Sequence, residues 1–529
     1  MTILKHADYT QGATYDADVV IIGTGAGGAA AGATLAEAGL DVILIEEGSY
    51  QPTSSFTPYA TESVPRLYRD ASSTIIFGRP QIPYIEGRCV GGSTVLNGGM
   101  TWRAPESVLA HWEEMTGSPE LGPARMEPLF ARVEERVHAS PQVECSMGDD
   151  SRLMVQGAQK LGWRVEVNRR NQEACVGSNN CIFGCPTGAK QSTLVSYMPR
   201  ALAKGARCLT ELKAHRLVIE NGRCVGVVGR VIDPRTQRSA GEITVRARAV
   251  VVAAGAVQTP YLLQKHRLGR PSGQLGKNFL CHPNAKVLAV YPFDVRGWQG
   301  VSQWAQIREF RDDGIVMAEN MIPPGPLAAH IPYVGKHAWD LMRRYNQMVV
   351  SGVLVEDSST GQVTRGMFGG AMARYDITAL DHRRFLRGVK LLAELHFAMG
   401  AEYVLLPFAH IHRADSIDEV LRIDEAAAPA ETLDLFTVHL MGTARMGTKR
   451  EESVAAIDGQ LWDLPGCYVA DASLFPTAIG VNPQITIMAL ATHVAERIAD
   501  SLAQSANSRL TSKSSRVESA PVAGLQPAG

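Results

Sequence analysis

Short runs of hydrophobic residues alternate with turns over the first fifty positions, and their order predicts a strand–helix–strand unit. The run 16–22 has the length of a buried strand and is followed by a glycine-rich turn. The alanine-rich stretch 29–39 then predicts a helix, and the apolar run 42–45 predicts a second strand that ends at Glu46. This order is typical of two parallel strands joined by a crossover helix.

The rest of the chain carries both helical and strand-like periodicities. The fully apolar run 249–254 predicts a further buried parallel strand. Strand-like runs recur with turns between them across 285–370, which predicts an antiparallel sheet in a second domain. The other predicted elements are helices within 105–160, at 381–399 and at 484–502, and strands at 217–219, 224–228, 243–245, 286–291 and 348–355. The Ser/Ala/Pro-rich stretch 503–529 has no apolar period and is predicted to be disordered.

Composition and charge exclude several classes of function. Hydrophobic residues make up 45% of the 529 positions and charged residues 20%, as in soluble globular proteins. The 52 basic and 53 acidic residues give a net charge of −1, which favours neither nucleic acid nor an anionic membrane as a partner. We expect no transmembrane segment, because no apolar run reaches about 18 residues. The start of the chain has no signal-peptide pattern, so a cytoplasmic location is expected, with export alongside a partner left open.

The turn after the first strand has the pattern of a dinucleotide-binding loop. Gly23, Gly25 and Gly28 form G-x-G-x-x-G between a predicted strand and a predicted helix. The first glycine permits the turn, the second lets backbone approach a pyrophosphate, and the third lets helix and strand pack closely. Glu46, at the end of the next strand, would accept hydrogen bonds from a ribose and disfavours NADP. This loop alone does not distinguish FAD from NAD.

Five further segments resemble signatures of the glucose–methanol–choline (GMC) oxidoreductases, and with the glycine turn they follow the family's order over residues 16 to about 500. The nearest branch contains the long-chain alcohol oxidases and related bacterial alcohol or sugar dehydrogenases. The segments are Gly87–Gly98, Ala254–Pro260, His439–Gly447, Tyr468–Pro476 and Gly480–Thr486.

The resemblance implies FAD and an α/β fold (α+β overall), in which a Rossmann-like FAD-binding domain is interleaved with an antiparallel-sheet substrate domain. The FAD-binding domain would comprise 15–105, 201–284 and 437–502. A helical insertion with a cysteine loop and part of the substrate domain would occupy 106–200, and the substrate domain proper 285–436. The implied cofactor-binding residues are Gly23, Gly25, Gly28, Glu46, Arg88, Gly91, Gly92, Ser93, Asn97, Gly255, Asp471, Ala472, Pro483 and Thr486.

The resemblance also implies a catalytic pair, His439 and Asn482. Oxidation of an alcohol removes a proton from oxygen while a hydride leaves carbon, and a neutral imidazole suits the proton transfer. His439 occupies the family position of this base. Asn482 occupies a second position, where its amide would orient the substrate oxygen. His282 follows another family-like segment and is interpreted as structural.

Three of the nine cysteines are clustered: Cys175, Cys181 and Cys185 lie within eleven residues of one another. Three thiolates, the last of them in the Cys185–Pro186 pair, suit a [3Fe-4S] cluster. The segment resembles the cluster loop of FAD-dependent sugar dehydrogenases in the family. It also resembles a cysteine-rich loop of the long-chain alcohol oxidases. A disulfide or free thiols remain alternatives, whereas zinc lacks an evident fourth ligand.

The sequence therefore predicts oxidation of a small-molecule alcohol, with hydride transfer to flavin N5. The electron acceptor is left open between oxygen, a quinone and a cytochrome partner, and a cluster would favour a dehydrogenase over an oxidase. Two alternatives remain: the catalytic subunit of an iron–sulfur-containing, membrane-linked sugar or alcohol dehydrogenase, and a non-redox FAD lyase. Residues 285–436, expected to form most of the substrate pocket, carry no pattern that names the substrate.

Overall fold

The computed structural model describes residues 2–367 and 369–517, which form four sheets. These residues also contain twelve α-helices. They span Ala26–Glu37, Ala60–Leu67, Glu106–Thr116, Pro123–Arg136, Asp149–Lys160, Tyr197–Ala203, Gln258–Gln264, Pro324–His330, Gly335–Met342, Ala379–Ala398, Ile417–Leu421 and Gln484–Val517.

The first sheet contains the predicted parallel unit. The strand Thr14–Ile22 pairs in parallel with Val42–Ile45 on one side and with Ser239–Val252 on the other. Val19 to Ile22 are buried on both faces, which explains the unbroken apolar run. The helix Ala26–Glu37 begins three residues earlier than predicted. The sheet's strand order is Thr2–Leu4, Arg207–Leu209, Val42–Ile45, Thr14–Ile22, Ser239–Val252, Arg223–Ile232 and Leu212–Glu220, with Cys467–Val469 also pairing with Ser239–Val252.

The antiparallel sheet predicted from the strand-like runs across 285–370 is present. Its central strands Asn284–Val290 and Met348–Val355 pair antiparallel, and Lys286 lies opposite Gly352. The helix Ala379–Ala398 covers one face of this sheet and begins with a capping box between Thr378 and Asp381. The strand order is Arg413–Ala414, Tyr403–Leu405, Asn284–Val290, Met348–Val355, Ile315–Glu319, Ala305–Ile307 and Val165–Val167, with Leu435–Phe436 beside Asn284–Val290.

Two smaller sheets connect segments that are distant in sequence. The domain boundaries stay a prediction. The five-stranded sheet combines strands from three predicted parts, 15–105, 201–284 and 285–436, and the two-stranded sheet lies within the predicted insertion 106–200. One has the strand order Lys277–Phe279, Gly361–Arg365, Ala371–Arg374, Thr74–Phe77 and Ile82–Tyr84, and the other pairs Ala139–Pro141 with Arg169–Asn171.

The last helix differs from the sequence prediction. It runs from Gln484 to Val517 and so continues through fifteen residues that were predicted to be disordered. Residues 503–517 contain no proline or glycine and include several good helix formers, so nothing in them stops the helix begun by the buried segment. The remainder of the predicted disordered stretch, 518–529, lies outside the described residues. Within the described part of the chain, every helix is too short or too polar to cross a lipid bilayer.

Candidate active site

One cavity of about 620 Å³ extends from the glycine-rich turn, past the edge of the first sheet, to the antiparallel sheet. Its wall brings together residues from all of the predicted FAD-binding segments and from the predicted substrate domain. The predicted site residues on this wall are Gly23, Gly25, Glu46, Gly92, Ser93, Asn97, Gly255, His439, Asp471, Ala472, Asn482 and Pro483.

The glycines of the turn have the separate roles that the pattern predicts. Gly23 has a φ of +100°, and a Cβ there would lie 2.4 Å from the carbonyl oxygen of Ala253. A Cβ at Gly28 would lie 2.0 Å from the carbonyl oxygen of Gly23, so helix and strand are in direct contact at that point. A Cβ at Gly25 would meet no atom within 4 Å. Gly25 therefore leaves open the space where a dinucleotide phosphate is expected.

Glu46 lies at the predicted place beside this turn. Its Oε2 accepts hydrogen bonds from the backbone N–H of Thr24 at 3.1 Å and from the Thr24 hydroxyl at 2.7 Å, and Oε1 accepts from the N–H of Gly48. Burial raises the pKa of Glu46, while these three donors favour its charged form. The carboxylate is thus held rigidly at the cavity wall, where it can accept from a ribose.

Asp471 ties two of the family-like segments together. One carboxylate oxygen accepts from the N–H of Gly255 at 2.8 Å and from the hydroxyl of Thr259 at 2.5 Å. The other oxygen accepts from the backbone and side chain of Ser473. Burial raises the pKa of Asp471, and its four donors oppose that shift. The segment that contains Gly255, at the end of the parallel strand, is therefore joined to the loop that precedes Asn482.

Asn97 joins the middle of the cavity to the final helix. Its side-chain Nδ2 donates to Oε1 of Gln484 at 2.8 Å, and its side-chain Oδ1 accepts from the backbone N–H of Gly99 at 3.1 Å. Ser93 accepts from the N–H of Gly87 at 2.9 Å. These bonds hold the loop around both residues against the cavity.

Four predicted cofactor residues do not lie on the cavity wall. Gly28 packs helix against strand, and Gly91 donates its N–H to the Thr24 hydroxyl at 3.1 Å. Arg88 pairs with Glu47 and donates to Gln237. Thr486 is buried and accepts from the N–H of Ala104. The structure thus places these four behind the wall, where they hold its backbone.

The predicted catalytic pair is brought together at the other end of the cavity. Nδ2 of Asn482 lies 3.2 Å from Nε2 of His439, so the amide donates to an imidazole nitrogen that lacks a proton. The backbone N–H of His439 donates to the hydroxyl of Thr437. Burial, the nearby His282 and the charge of Lys286 lower the pKa of His439 to about 3. The imidazole is therefore neutral, and its unprotonated Nε2 accepts the hydrogen bond from Asn482.

His282 was interpreted as structural, but its ring borders the cavity beside the catalytic pair. The rings of His282 and His439 meet edge to face, with centroids 5.7 Å apart and an interplanar angle of 86°. Nε2 of His282 accepts from the N–H of Gly480 at 3.2 Å, which fixes the loop before Asn482. The only sequence signal was its position just before Pro283 in a family-like segment, and that signal carries no information on where the ring points.

The comparisons with known proteins agree with this arrangement. Two family models, both described as GMC oxidoreductase, match residues 21–284 and 364–491, which together make up more than half of the chain. The chain belongs to the GMC oxidoreductase family. An uncharacterized GMC-type oxidoreductase of Mycobacterium tuberculosis is 34% identical to it, over 91% of this chain and 75% of the relative.

More distant relatives of this GMC oxidoreductase have named activities. A long-chain-alcohol oxidase of Arabidopsis thaliana is 26% identical over 92% of this chain and 67% of its own length. Among solved structures, pyridoxine 4-oxidase from Mesorbium loti superimposes with a TM-score of 0.69 at 18% identity, covering 91% of this chain and 98% of that one. The family and its FAD-dependent structural relatives support FAD as the cofactor, and the open glycine turn at one end of a single cavity suits it.

The three clustered cysteines of this GMC oxidoreductase line a separate small cavity of about 20 Å³. Nη2 of Arg170 donates to the sulfur of Cys181 at 3.2 Å, and the N–H of Lys190 donates to that of Cys185 at 3.4 Å. All nine cysteines are free thiols. A space of this size holds about one water molecule, and no group of three or more potential ligands in residues 2–367 and 369–517 could hold a metal ion. A three-iron cluster does not fit this arrangement of Cys175, Cys181 and Cys185.

Proposed function

We propose that this chain oxidises an alcohol to an aldehyde or ketone, with FAD as the hydride acceptor, His439 as the general base and Asn482 orienting the substrate oxygen. The observation that carries the proposal is the neutral imidazole at one end of the cavity whose other end is the dinucleotide turn. The named alcohol oxidase among the relatives supports an alcohol as the substrate class.

The contacts of the pair suggest how it would act. A substrate hydroxyl that donates to Nε2 of His439 would replace the amide of Asn482 as the donor to that nitrogen. The freed amide could then donate to the same substrate oxygen and stabilise negative charge as it develops. His439 receives the hydroxyl proton, and the product carbonyl forms as the hydride leaves carbon. Bound FAD would supply the acceptor for that hydride.

Anaerobic mixing with alcohols tests the proposal directly. We expect a set of primary and secondary alcohols to contain at least one that bleaches the flavin absorbance. His439→Ala should keep its yellow FAD and reduce the rate of bleaching by about a hundredfold or more, the usual effect of losing a general base. The control is His410→Ala, since His410 is exposed and lies outside the cavity. Equal rates in both variants would exclude His439 as the base.

The same experiment separates oxidation from lyase chemistry. A lyase would convert its substrate while leaving the flavin oxidised. Product formation without bleaching would therefore overturn the proposed oxidation, whereas bleaching in step with carbonyl formation would support it.

The electron acceptor is part of the proposal. We favour a dehydrogenase, an activity named for one relative, a 2-methyl-1,2-propanediol dehydrogenase, whereas the long-chain-alcohol oxidases among the relatives favour oxygen as the acceptor. Turnover with an artificial acceptor should exceed turnover with oxygen by at least about tenfold under equal substrate saturation. Hydrogen peroxide formed at the same rate as product would instead identify an oxidase. Iron analysis of anaerobically purified protein tests the iron–sulfur alternative separately.

A further inference from the structure

The strand Asn284–Val290 presents alternate side chains to the substrate end of the cavity. Ala285 and Val287 are fully buried on the face covered by the helix Ala379–Ala398. Asn284, Lys286 and Leu288 point the other way and line the cavity. A lysine is thereby placed on the wall, two residues along the strand from an asparagine and two from a leucine.

Small residues on the neighbouring strands leave space around Lys286. It lies opposite Gly352, which in turn lies opposite Ala318. A Cβ at position 352 would be 2.7 Å from Nζ of Lys286 and 2.9 Å from both Oδ1 of Asn284 and Nδ2 of Asn320. The absence of a side chain at 352 thus leaves a recess that is lined by Asn284, Lys286 and Asn320.

The polar groups of this recess have unmet bonding capacity. Within the described residues, Nζ of Lys286 has no hydrogen-bond or ion-pair partner, and Oδ1 of Asn284 is buried without a donor. Burial alone lowers the pKa of Lys286 to about 7. Other enclosed lysines differ: Lys213, at the nucleotide end, pairs with Glu47 at 2.9 Å, and Lys190 donates to three backbone carbonyls.

Lys286 is half-buried, and an ammonium that lines the cavity without a partner is free to bind an anion there. One lysine flanked by neutral amides suits a single negative charge. The charge of Lys286 also reaches the catalytic imidazole, because it contributes to the lowered pKa of His439. A bound anion would therefore lie in the same cavity as the catalytic imidazole, while Leu288, Val350 and Leu405 continue the wall as apolar surface.

We propose that Lys286 is a specificity-determining residue that binds a carboxylate of the substrate, so that the alcohol oxidised is a hydroxy acid. This inference rests on the proposed function, since it names the class of alcohol. The reaction is unchanged: the hydroxyl carbon becomes a carbonyl, and the carboxylate stays intact as the group that positions it.

Matched substrates test the proposal in the holoenzyme. The probes are 2-, 3-, 4-, 5- and 6-hydroxyhexanoate, each compared with its methyl ester, which keeps the carbon skeleton and removes the charge. At least one acid should exceed its ester in kcat/KM by about tenfold or more, the scale of a hydrogen bond to a charged group. Lys286→Met should abolish that preference, so that the ratio of acid to ester kcat/KM, measured within the variant at one pH, falls to within about twofold of one. The preference should survive in Lys336→Met, which alters an exposed lysine.

A binding measurement keeps the test independent of turnover. Hexanoate should perturb the flavin absorbance spectrum of the wild type, with at least about tenfold weaker binding to Lys286→Met and to Lys286→Gln. Binding of 1-hexanol should be unchanged. The proposal is overturned if no acid exceeds its ester, or if Lys286→Gln binds hexanoate as tightly as the wild type. If no alcohol, charged or neutral, bleaches the flavin, the proposed function fails, and hexanoate binding still decides the role of Lys286.

Discussion

His439 and Asn482 are 43 positions apart, yet the backbone at or near each residue is held by a contact that does not involve the other. Thr437 accepts from the backbone of His439, and His282 accepts from the loop just before Asn482. The distance of 3.2 Å between the two side chains is therefore set by backbone anchors as well as by their mutual hydrogen bond. A substrate oxygen could displace that bond without disturbing either loop.

The low pKa of His439 leads to a prediction about acid conditions. A histidine with the ordinary pKa of about 6.5 is mostly protonated at pH 5 and cannot act as a base. Because burial, His282 and Lys286 lower the pKa of His439 to about 3, kcat/KM for a neutral alcohol should stay within about threefold between pH 7 and pH 5. In Lys286→Met the loss of a nearby positive charge should raise the pKa of His439 and move the acid limb of the profile to higher pH. A wild-type acid limb near pH 6.5 would contradict this assignment.

Single residues also show where sequence reasoning stops. Gly25, Glu46 and Asp471 could be predicted because their motifs constrain backbone at loops, and backbone constraints are visible in the sequence. Lys286 could not, since strand alternation assigns it to a face without saying that the face borders a cavity. The exposure of a side chain to a cavity depends on partners such as Gly352, which lies 66 positions away in sequence.

At the scale of elements, the glycines of the turn differ in their surroundings. Gly28 is required by the protein itself, because a Cβ there would lie 2.0 Å from backbone oxygen. Gly25 has free space on the side where its Cβ would point. Gly28 is therefore required for packing, whereas the space beside Gly25 is left free by the protein.

Two alanine variants test this separation. Gly28→Ala should lower the free energy of unfolding by about 1–3 kcal/mol or more, because the helix Ala26–Glu37 must move off the strand. Gly25→Ala should stay within about 1 kcal/mol of the wild type as the apoprotein, the scale of a changed helix N-cap. Its affinity for FAD should fall by at least about tenfold, since the added methyl group occupies the space left for phosphate. Urea unfolding of the apoproteins and fluorescence titration with FAD measure both; equal losses of stability would contradict the separation.

Elements also differed in how well they could be predicted. The strand Met348–Val355 matches its prediction because a long β-rich run has clear ends. The stop predicted at Leu502 for the final helix was wrong, because low hydrophobicity shows only that a segment is not buried. A helix can continue into solvent without an apolar face when nothing breaks it.

At the scale of the whole molecule, the cavity exists because two sheets of different kinds share it. The parallel sheet contributes loops at the ends of its strands, which suit a nucleotide, while the antiparallel sheet contributes one face of side chains. His282 and His439 line this cavity, whereas His396 lies away from it and is buried beside Tyr291 and Ser351. His282, His396 and His439 each have a pKa lowered to about 3, with burial as the first cause.

These buried histidines make stability depend on pH in a defined direction. In the unfolded chain each takes up a proton below about pH 6.5, whereas in the folded protein each stays neutral until about pH 3. The contribution of each histidine to the free energy of unfolding should therefore be complete above about pH 6.5. It should fall as the pH drops, by up to about 1.4 kcal/mol per pH unit for each histidine. His396 is suited to testing this, because it lies away from the cavity and bonds to Tyr291 and Ser351.

Replacing His396 isolates one of these contributions. His396→Gln should lower stability at pH 7 through the loss of two buried hydrogen bonds, yet it should lose about 2 kcal/mol less than the wild type between pH 7 and pH 5. Urea unfolding of the two proteins at both values gives the difference directly, with FAD present at equal saturation. His410→Ala is the control, since an exposed histidine should leave the pH difference unchanged. If His396→Gln and the wild type lose the same free energy over that interval, His396 is protonated in the folded state, and burial does not hold it neutral.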